Sequence, residues 1–433
     1  MTKLNAQISQ RVILLTIISV LGAFLTYQLE AWFSRNLGPV IFGDFKFLLR
    51  ALHMGGHIGL LGQDAILVML ASRYDQENQS ALGSGLIAWV LKTYVVRVLL
   101  FYTVLLGVLY ASSGQSVFDM QWLSRMSHDG FYIAMIIVVM AIPVLILSGL
   151  CEKYFVYRRM FFTSLTPRAV ILPVVIFCIY QIFHLSWRLD DAVLVYVLSI
   201  ACILAFYMFR CFFLIRRGWS KPKWRAGEWW RTSLQFFSIN VIVTSGRNIV
   251  FFLLEFLGET ESEVGYFAAI LAVIIIFHMM VRPVEGFLRP YISRMVLTDN
   301  AALLVIMRKC NRLRFALVSI YFLILVLFAP SIMGHFGPAF HVTVYPMIFM
   351  ASCFYVYTLG QPNVDLLAYS GHQAIAMRIW LLQIALSVII AVCLIPYYGV
   401  WAAVLADGST MALSVLLSTC LVYKKLGYHA WVI

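Results

Sequence analysis

FGDFKFLLRALHMGGHIGLLGQDAILVM, residues Phe42 to Met69, reads as apolar helix carrying one polar stripe. At 100° per residue, Lys46, Arg50, His53 and His57 recur at spacings of four, three and four and project from one narrow face. The flanking sequence is compatible with hydrocarbon. A charged side chain at a bilayer centre costs roughly 2.5 to 3.5 kcal/mol on insertion scales, so this face cannot meet lipid. It implies a wet cavity or an anionic partner.

The composition supports a membrane setting. The chain has 433 residues, 62% hydrophobic and 12% charged, with a mean hydropathy of +0.90. Soluble domains carry about 25% charged residues, so this is a polytopic membrane protein. The first apolar run, Val12 to Phe33, is too long for a signal-peptide core and no cleavage motif follows; it reads as an uncleaved first helix. The eight cysteines form no CxxC pair and lie mostly in apolar runs, so they read as small core residues and not as a disulfide frame or metal site.

Runs long enough to span fall at roughly 12–33, 42–61, 84–110, 131–150, 169–185, 192–214, 233–257, 264–288, 315–333, 341–361, 377–396 and 400–423. Twelve spans place both termini on one side. Sorting loop Lys and Arg by alternate sides leaves only Arg35, Arg125 and Arg188 on the other, a bias that orients both termini to the cytoplasm. The net charge of +13 is thus mostly topology, and nucleic acid is not needed to explain it. Acidic residues Asp119, Asp129, Asp190, Asp191, Glu259, Glu261 and Glu263 gather on the outer side. Trp219, Trp224, Trp229 and Trp230 sit among the basic residues of the stretch from Arg216 to Arg231, as interfacial anchors do. That stretch divides the chain into lobes at 1–215 and 232–433, joined by a basic cytoplasmic linker at 216–231. The longest outer loop, about 111–130, is too short for a periplasmic domain, so any chemistry lies in the membrane or at its cytoplasmic face.

The halves show weak internal similarity. Leu37, Gly38, Phe42, Gly43, Asp44 and Phe45 open the second helix; Leu257, Gly258, Val264, Gly265, Tyr266 and Phe267 open the eighth. The expected fold is all-α, with about twelve transmembrane helices in two six-helix lobes related by a pseudo-two-fold around a central cavity. Pro143, Pro173 and Pro346 lie within spans and should kink them.

These residues also carry a resemblance. Arg35 to Pro39 with Phe42, Gly43 and Asp44 resembles the opening of polysaccharide repeat-unit flippases, the O-antigen and capsule transporters of the multidrug, oligosaccharidyl-lipid and polysaccharide exporter superfamily. His335 to Phe340 resembles the short outer loop before their tenth helix, and Leu394 to Ala403 the loop before their last. The resemblance covers essentially the whole chain. It implies transport of an undecaprenyl-diphosphate-linked oligosaccharide from the cytoplasmic to the periplasmic leaflet of the bacterial inner membrane by alternating access. It also implies partnership with polysaccharide polymerase and chain-length proteins.

Against that expectation, Arg50 is the first substrate-binding candidate. A rise of 1.5 Å per residue places it about 10 Å from Gly43, with His57 about 21 Å away. A guanidinium fork suits a diphosphate; the alternative is an Arg paired with Asp64 to fix packing. Lys46 is shallower and could snorkel to the outer interface. His53 and His57 lack a third ligand for a metal and read as cavity lining, proton carriers or buried hydrogen-bonded imidazoles. Gly55, Gly56, Gly59 and Gly62 allow close helix contact or a flexible point. A second stripe, His278, Arg282, Glu285 and Arg289, marks the eighth helix, where Arg282 and Glu285 can pair. Arg247 in the seventh helix is a further diphosphate candidate, with Glu255 nearer the outer end. Lys92, Arg97 and Asp407 stand isolated on apolar runs.

The diphosphate is thus expected to meet Arg50, Arg247 and Arg282. Its polyprenyl tail stays in lipid while one lobe rocks against the other. Asp64, Glu255, Glu285 and Asp407 are candidates for coupling H+ or Na+. No GxxxxGK[ST] motif is present, no cofactor is expected, and the chain reads as a secondary-type transporter and not an enzyme. Three rivals stand beside it. A cation or drug exporter of the same superfamily fits poorly with a stripe led by Lys46 and Arg50. A glycan polymerase or ligase needs a larger outer loop. The lipid II flippases that resemble this family typically have fourteen helices.

Overall fold

The computed structural model describes residues 2–112, 130–183, 185–218, 220–295, 300–427 and 431. Asp119, Arg125, Asp129 and Trp219 lie outside them. Among the described residues the chain is helical throughout, without strands. Ten helices among the described residues are long and apolar enough to cross a membrane, and the broken pair Ala226–Gly246 and Asn248–Leu257 makes eleven.

The first helix accounts for a twelfth. α1 (Thr2–Gly59) is a hairpin and not one rod. Gly38 adopts φ 74° and ψ 171°, a conformation open chiefly to glycine, and Pro39 disfavours helix at the residue before it. Sixteen residues of straight helix would hold Glu30 and Lys46 about 24 Å apart. Their side chains instead meet at 2.7 Å, and Phe33 stacks on Phe45 with ring centres 4.9 Å apart. The two arms are therefore two crossings, as the apolar runs 12–33 and 42–61 predict.

After α1 come α2 (Gln63–Gln76), α3 (Ser80–Ser112), α4 (Phe131–Tyr157), α5 (Phe161–Thr166), a π-turn at Pro167–Ile171, α6 (Leu172–Phe183), α7 (Leu189–Gly218) and α8 (Ala226–Leu257). Then follow α9 (Ser262–Met295), α10 (Asn300–Leu327), α11 (Ala329–Gly334), a 3-10 turn at Pro338–Thr343, α12 (Val344–Tyr369), α13 (Gln373–Tyr398) and α14 (Val400–Leu426). The expected kink at Pro173 takes the form of the π-turn: proline cannot donate to the carbonyl of Ala169, which lies within that turn. Pro346 falls in the first turn of α12, where a missing N–H costs nothing.

By packing, the chain forms two compact units, residues 1–47 with 248–433, and residues 48–247. This grouping differs from the lobes 1–215 and 232–433, which rest on repeat and not on packing. In the first unit, α12 and α14 approach closely because small residues face each other. A Cβ on Gly360 would collide with the Val415 side chain, and one on Gly408 would meet the Met350 sulfur at 3.0 Å. Small-residue contact is the usual way helices associate in lipid, where apolar side chains gain nothing by leaving hydrocarbon. Gly43 and Gly265, the positions equated by the internal repeat, lie against each other: a Cβ on Gly43 would fall 2.8 Å from the Gly265 nitrogen. Gly399 (φ 49°) ends α13, with Glu263 filling the space a Cβ would need.

In the second unit α4 packs against α7 and α2. Gly55, Gly56 and Gly59 serve close contact with α4. Cβ atoms on Gly55 and Gly56 would strike Ile142 and Leu145 at 2.9 and 2.7 Å, and one on Gly59 would overlap Ile146. The expected linker is packed against this unit: Lys223 donates its backbone N–H to Ala81 at 2.9 Å, and Ser220 pairs with Ser84. The cysteines correct the reading of a core role. Cys178, Cys202, Cys393 and Cys420 are exposed, because in a membrane protein the outer surface is as apolar as the interior.

Candidate functional site

The stripe that opened the sequence is divided. Lys46 belongs to the first unit, where its ion pair with Glu30 closes the hairpin and its ammonium lies 6.0 Å from the Phe42 ring centre. Both partners are mostly covered, at 15% and 17% exposure. Arg50, His53 and His57 belong to the second unit. Arg50 is half-buried. His53 sits 2.7 Å by Nδ1 from the Leu49 carbonyl and 3.3 Å by Nε2 from the Tyr196 hydroxyl. A carbonyl only accepts, so Nδ1 carries a proton, and a neutral ring then accepts from Tyr196 at Nε2. His53 is thus a hydrogen-bonded imidazole, one of the readings open for it. His57 is exposed.

Below His57 the helix stops for a definite reason. Leu61 and Gly62 take φ values of 48° and 74°, and the turn is held from two sides. Arg97 donates to the Gly59 carbonyl and to Gln63 Oε1, while Ser233 donates to the Leu61 carbonyl at 2.6 Å. A Cβ at Gly62 would collide with the Ser233 carbonyl oxygen. Arg97, isolated in the sequence, is therefore a pin for this turn. The new helix begins at Gln63 and carries Asp64 in its first turn, where the helix dipole favours a carboxylate. Asp64 Oδ1 is covered and without a hydrogen-bond partner among the described residues.

His57 and Asp64 do not stand alone. The charged groups acting on His57 are Arg168, Asp64, Lys153 and Glu152. Arg168 lies in the π-turn and reaches Glu152 of α4 at 2.9 Å; Lys153 approaches the other oxygen of Glu152 at 3.9 Å. Arg168 is 38% exposed and Glu152 21%, so the pair sits at the surface of the unit and is not sealed inside it. The patch sets two cations, Arg168 and Lys153, against two carboxylates, Asp64 and Glu152, around the His57 imidazole. The sequence reading treats Lys153 and Arg168 as topological loop charges and passes over Glu152. The available signal was Arg168 directly behind Pro167 in an apolar run, since π-turns often accompany functional positions.

The remaining candidates lie apart from this patch. The side chains of Arg247, Arg282 and Arg289 lie outside the described residues. In the first unit Glu255 is half-buried with Asp44 and Glu261 as acidic neighbours, and His278 is half-buried on α9. Glu285 and Asp407 are buried, and neither lacks a partner. One residue there corrects the topology: Arg314, counted among cytoplasmic loop charges, is only 1% exposed inside α10, where it reaches the Thr358 carbonyl at 3.4 Å. The helix begins at Asn300, well before the apolar run from 315, so a charge beside the run became part of the interior. Among the described residues no group of three or more His, Cys, Asp or Glu could hold a metal ion.

No protein-family model matches the chain, and no curated protein matches it. Its fold does match solved structures. An inward-facing multidrug resistance MATE family transporter of the MOP superfamily aligns with a TM-score of 0.69 at 12% identity, over 95% of this chain and 98% of that one. The lipid II flippase MurJ in an inward closed conformation aligns at 0.65 and 13% identity, over 95% of this chain and 87% of that one. A MOP superfamily transporter from Pyrococcus furiosus, whose reversed binding-pocket polarity suggests a different function, aligns at 0.64 and 13% identity, over 96% and 95%. The chain thus has the fold of these membrane transporters.

Proposed function

We propose that this protein is a transporter of an amphiphilic anion, a polyprenyl-diphosphate-linked oligosaccharide that it carries between leaflets of the bacterial inner membrane. The fold shared with drug exporters and with a lipid flippase supports transport and is silent on the cargo. The cargo is argued from charge. The observation that carries the reading is the partly exposed cluster of Arg168, Lys153 and His57 with Glu152 and Asp64 in the second unit, with Arg50 seven residues before His57 on the same helix, three cations to two carboxylates on helices otherwise apolar. Cations on helices long and apolar enough to cross a membrane are retained where they meet an anion or line a wet path. A cation exporter would need the opposite balance. Arg50 and Arg168 supply the forked donors a diphosphate takes, and Arg247 and Arg282 remain diphosphate candidates by sequence position. Asp64, with an oxygen left unbonded beside this patch, and Glu255, beside Asp44, are the preferred groups for coupling H+ or Na+. A membrane potential negative inside favours outward passage of an incompletely neutralised anion by about 2.3 kcal/mol per charge per 100 mV.

The test is complementation of a flippase-null strain making one defined glycan. The parent is expected to restore surface glycan, Arg50→Ala to lose at least about tenfold of it, and Arg50→Lys to retain part, because the lysine keeps charge but not the fork. Full export by Arg50→Ala would remove Arg50 from the mechanism. Failure of the parent with every glycan tried, beside export of cationic drugs, would overturn the cargo.

A further inference from the structure

Lys92 is an exposed cation on the apolar helix α3. Around and beyond it α3 exposes a broad apolar face, with Leu91, Val95, Leu99 at 63% and Val104 at 64% exposure. That face begins beside Lys92. One turn earlier the helix is covered by the segment that precedes and opens α8: Trp89 packs on Trp229 and Trp230, and a Cβ at Gly85 would collide with the Lys223 carbonyl. Lys92 therefore marks the edge between a protein-covered stretch and a lipid-facing one. The exposed face from Leu91 to Val104 rises about 20 Å from that edge, most of the depth of a hydrocarbon core. A lysine at such an edge keeps its stem on apolar surface and its ammonium at headgroup level.

The ammonium is not neutralised. Among the described residues it makes no ion pair, and its one contact is the face of Trp224, 5.9 Å to the ring centre. Trp224 is half exposed and flanked by exposed Lys223 and Arg225. An amphipathic ring, an unpaired ammonium beside it and exposed Lys223 next to the ring in the chain present the complement of a negatively charged headgroup, while Arg225 pairs with Glu228 at 3.6 Å.

We propose that Lys92, Trp224 and Lys223 form a binding site for the phosphate of an anionic bilayer phospholipid. The site lies on the lipid-facing side of α3 and is independent of the transport patch. The lipid phosphate accepts from the Lys92 ammonium, and Trp224 walls the headgroup against water. Its acyl chains run along Leu91, Val95 and Leu99. The occupant is a resident lipid and not the cargo.

The full-length protein in mild detergent, titrated with phosphatidylglycerol, phosphatidylcholine or inorganic phosphate and read by native mass spectrometry, tests this. Phosphatidylglycerol is expected to be retained over phosphatidylcholine, with inorganic phosphate unable to displace it. Lys92→Gln should lower that retention about fivefold, the loss expected for one basic residue at a charged surface, and Lys92→Arg should restore it. Trp224→Ala should lower it as well. Lys92→Gln should keep the parent's elution profile and helix content, because the side chain is exposed and unpaired. Should it not, raising salt on the parent gives a second reading, with selective loss of phosphatidylglycerol expected. Equal retention of the two lipids, displacement by inorganic phosphate, or unchanged retention in Lys92→Gln would each overturn the site. Export by Lys92→Gln in the complementation strain separates this site from the cargo reading.

Discussion

The two units differ in what they do with some of their charge. In the first, Arg314, Glu285 and Asp407 are drawn inside and Lys46 is closed against Glu30, while Arg308, Lys309, Arg312, Arg378, Lys424 and Lys425 stay exposed on its helices. In the second, Arg168, Glu152, Lys153 and His57 stand partly or fully exposed around the end of an apolar helix. A buried charge with a partner holds one packing in place, and removing either partner leaves an ion stranded in apolar surroundings. A charge at a protein surface within membrane depth is instead available to something that is not the protein. Under the proposed function, similar residue types serve architecture in one unit and recognition in the other.

The largest test of this contrast is Arg314→Met. Removing the buried donor leaves the Thr358 carbonyl without it and should cost about 1 to 3 kcal/mol, a measurable loss of folded protein on heating. Fluorescence-detected size exclusion after a heating series reads it. An Arg314→Met protein as heat-resistant as the parent would place that residue with the surface cations. The mirror experiment is Arg168→Gln, expected to fold and melt like the parent while glycan export falls about tenfold, the equivalent of one charge-assisted hydrogen bond to the cargo. A fall in melting temperature with export per folded molecule unchanged would make the Arg168 to Glu152 pair structural and dissolve the contrast.

The smallest effect concerns His335, just outside the membrane spans in the first unit. Its Nε2 meets Gln28 Oε1 at 2.9 Å and its ring stacks on Tyr27. Burial, and secondarily the nearby Arg35 charge, lower its pKa below the ordinary 6.5. A histidine held neutral in the folded state contributes fully above the unfolded value. That contribution fades as pH falls from about 6.5 through the lowered folded value. Thermal unfolding between pH 7.5 and 5 should therefore show the parent losing more stability than His335→Gln on acidification. Parallel curves would show that this contact does not respond to protonation.

Much of the fold was legible. Apolar runs gave the spans because crossing length is set by bilayer thickness, a constraint outside the protein. Gly38 followed by Pro39 marked the α1 reversal, and Gly55, Gly56 and Gly59 marked close contact with a neighbour. Arg314 and Arg168 were misplaced for one reason: a charge beside an apolar run looks like a loop, yet the helices continue past the run and carry it inward or onto the unit's surface. Arg97 looked orphaned because its partners, Gly59 and Gln63, lie more than thirty positions away. The cysteines were read inward because apolar and buried coincide in water, and they do not in lipid.

The amino-acid order alone determined that this chain lives in a membrane as a many-helix bundle, since hydrophobicity and helix periodicity are local properties summed along the chain. Which cations are locked into architecture and which are offered to a partner was decided only in three dimensions. A charge acquires its role from what faces it, and what faces Lys46, Arg168 or Arg314 comes from another helix.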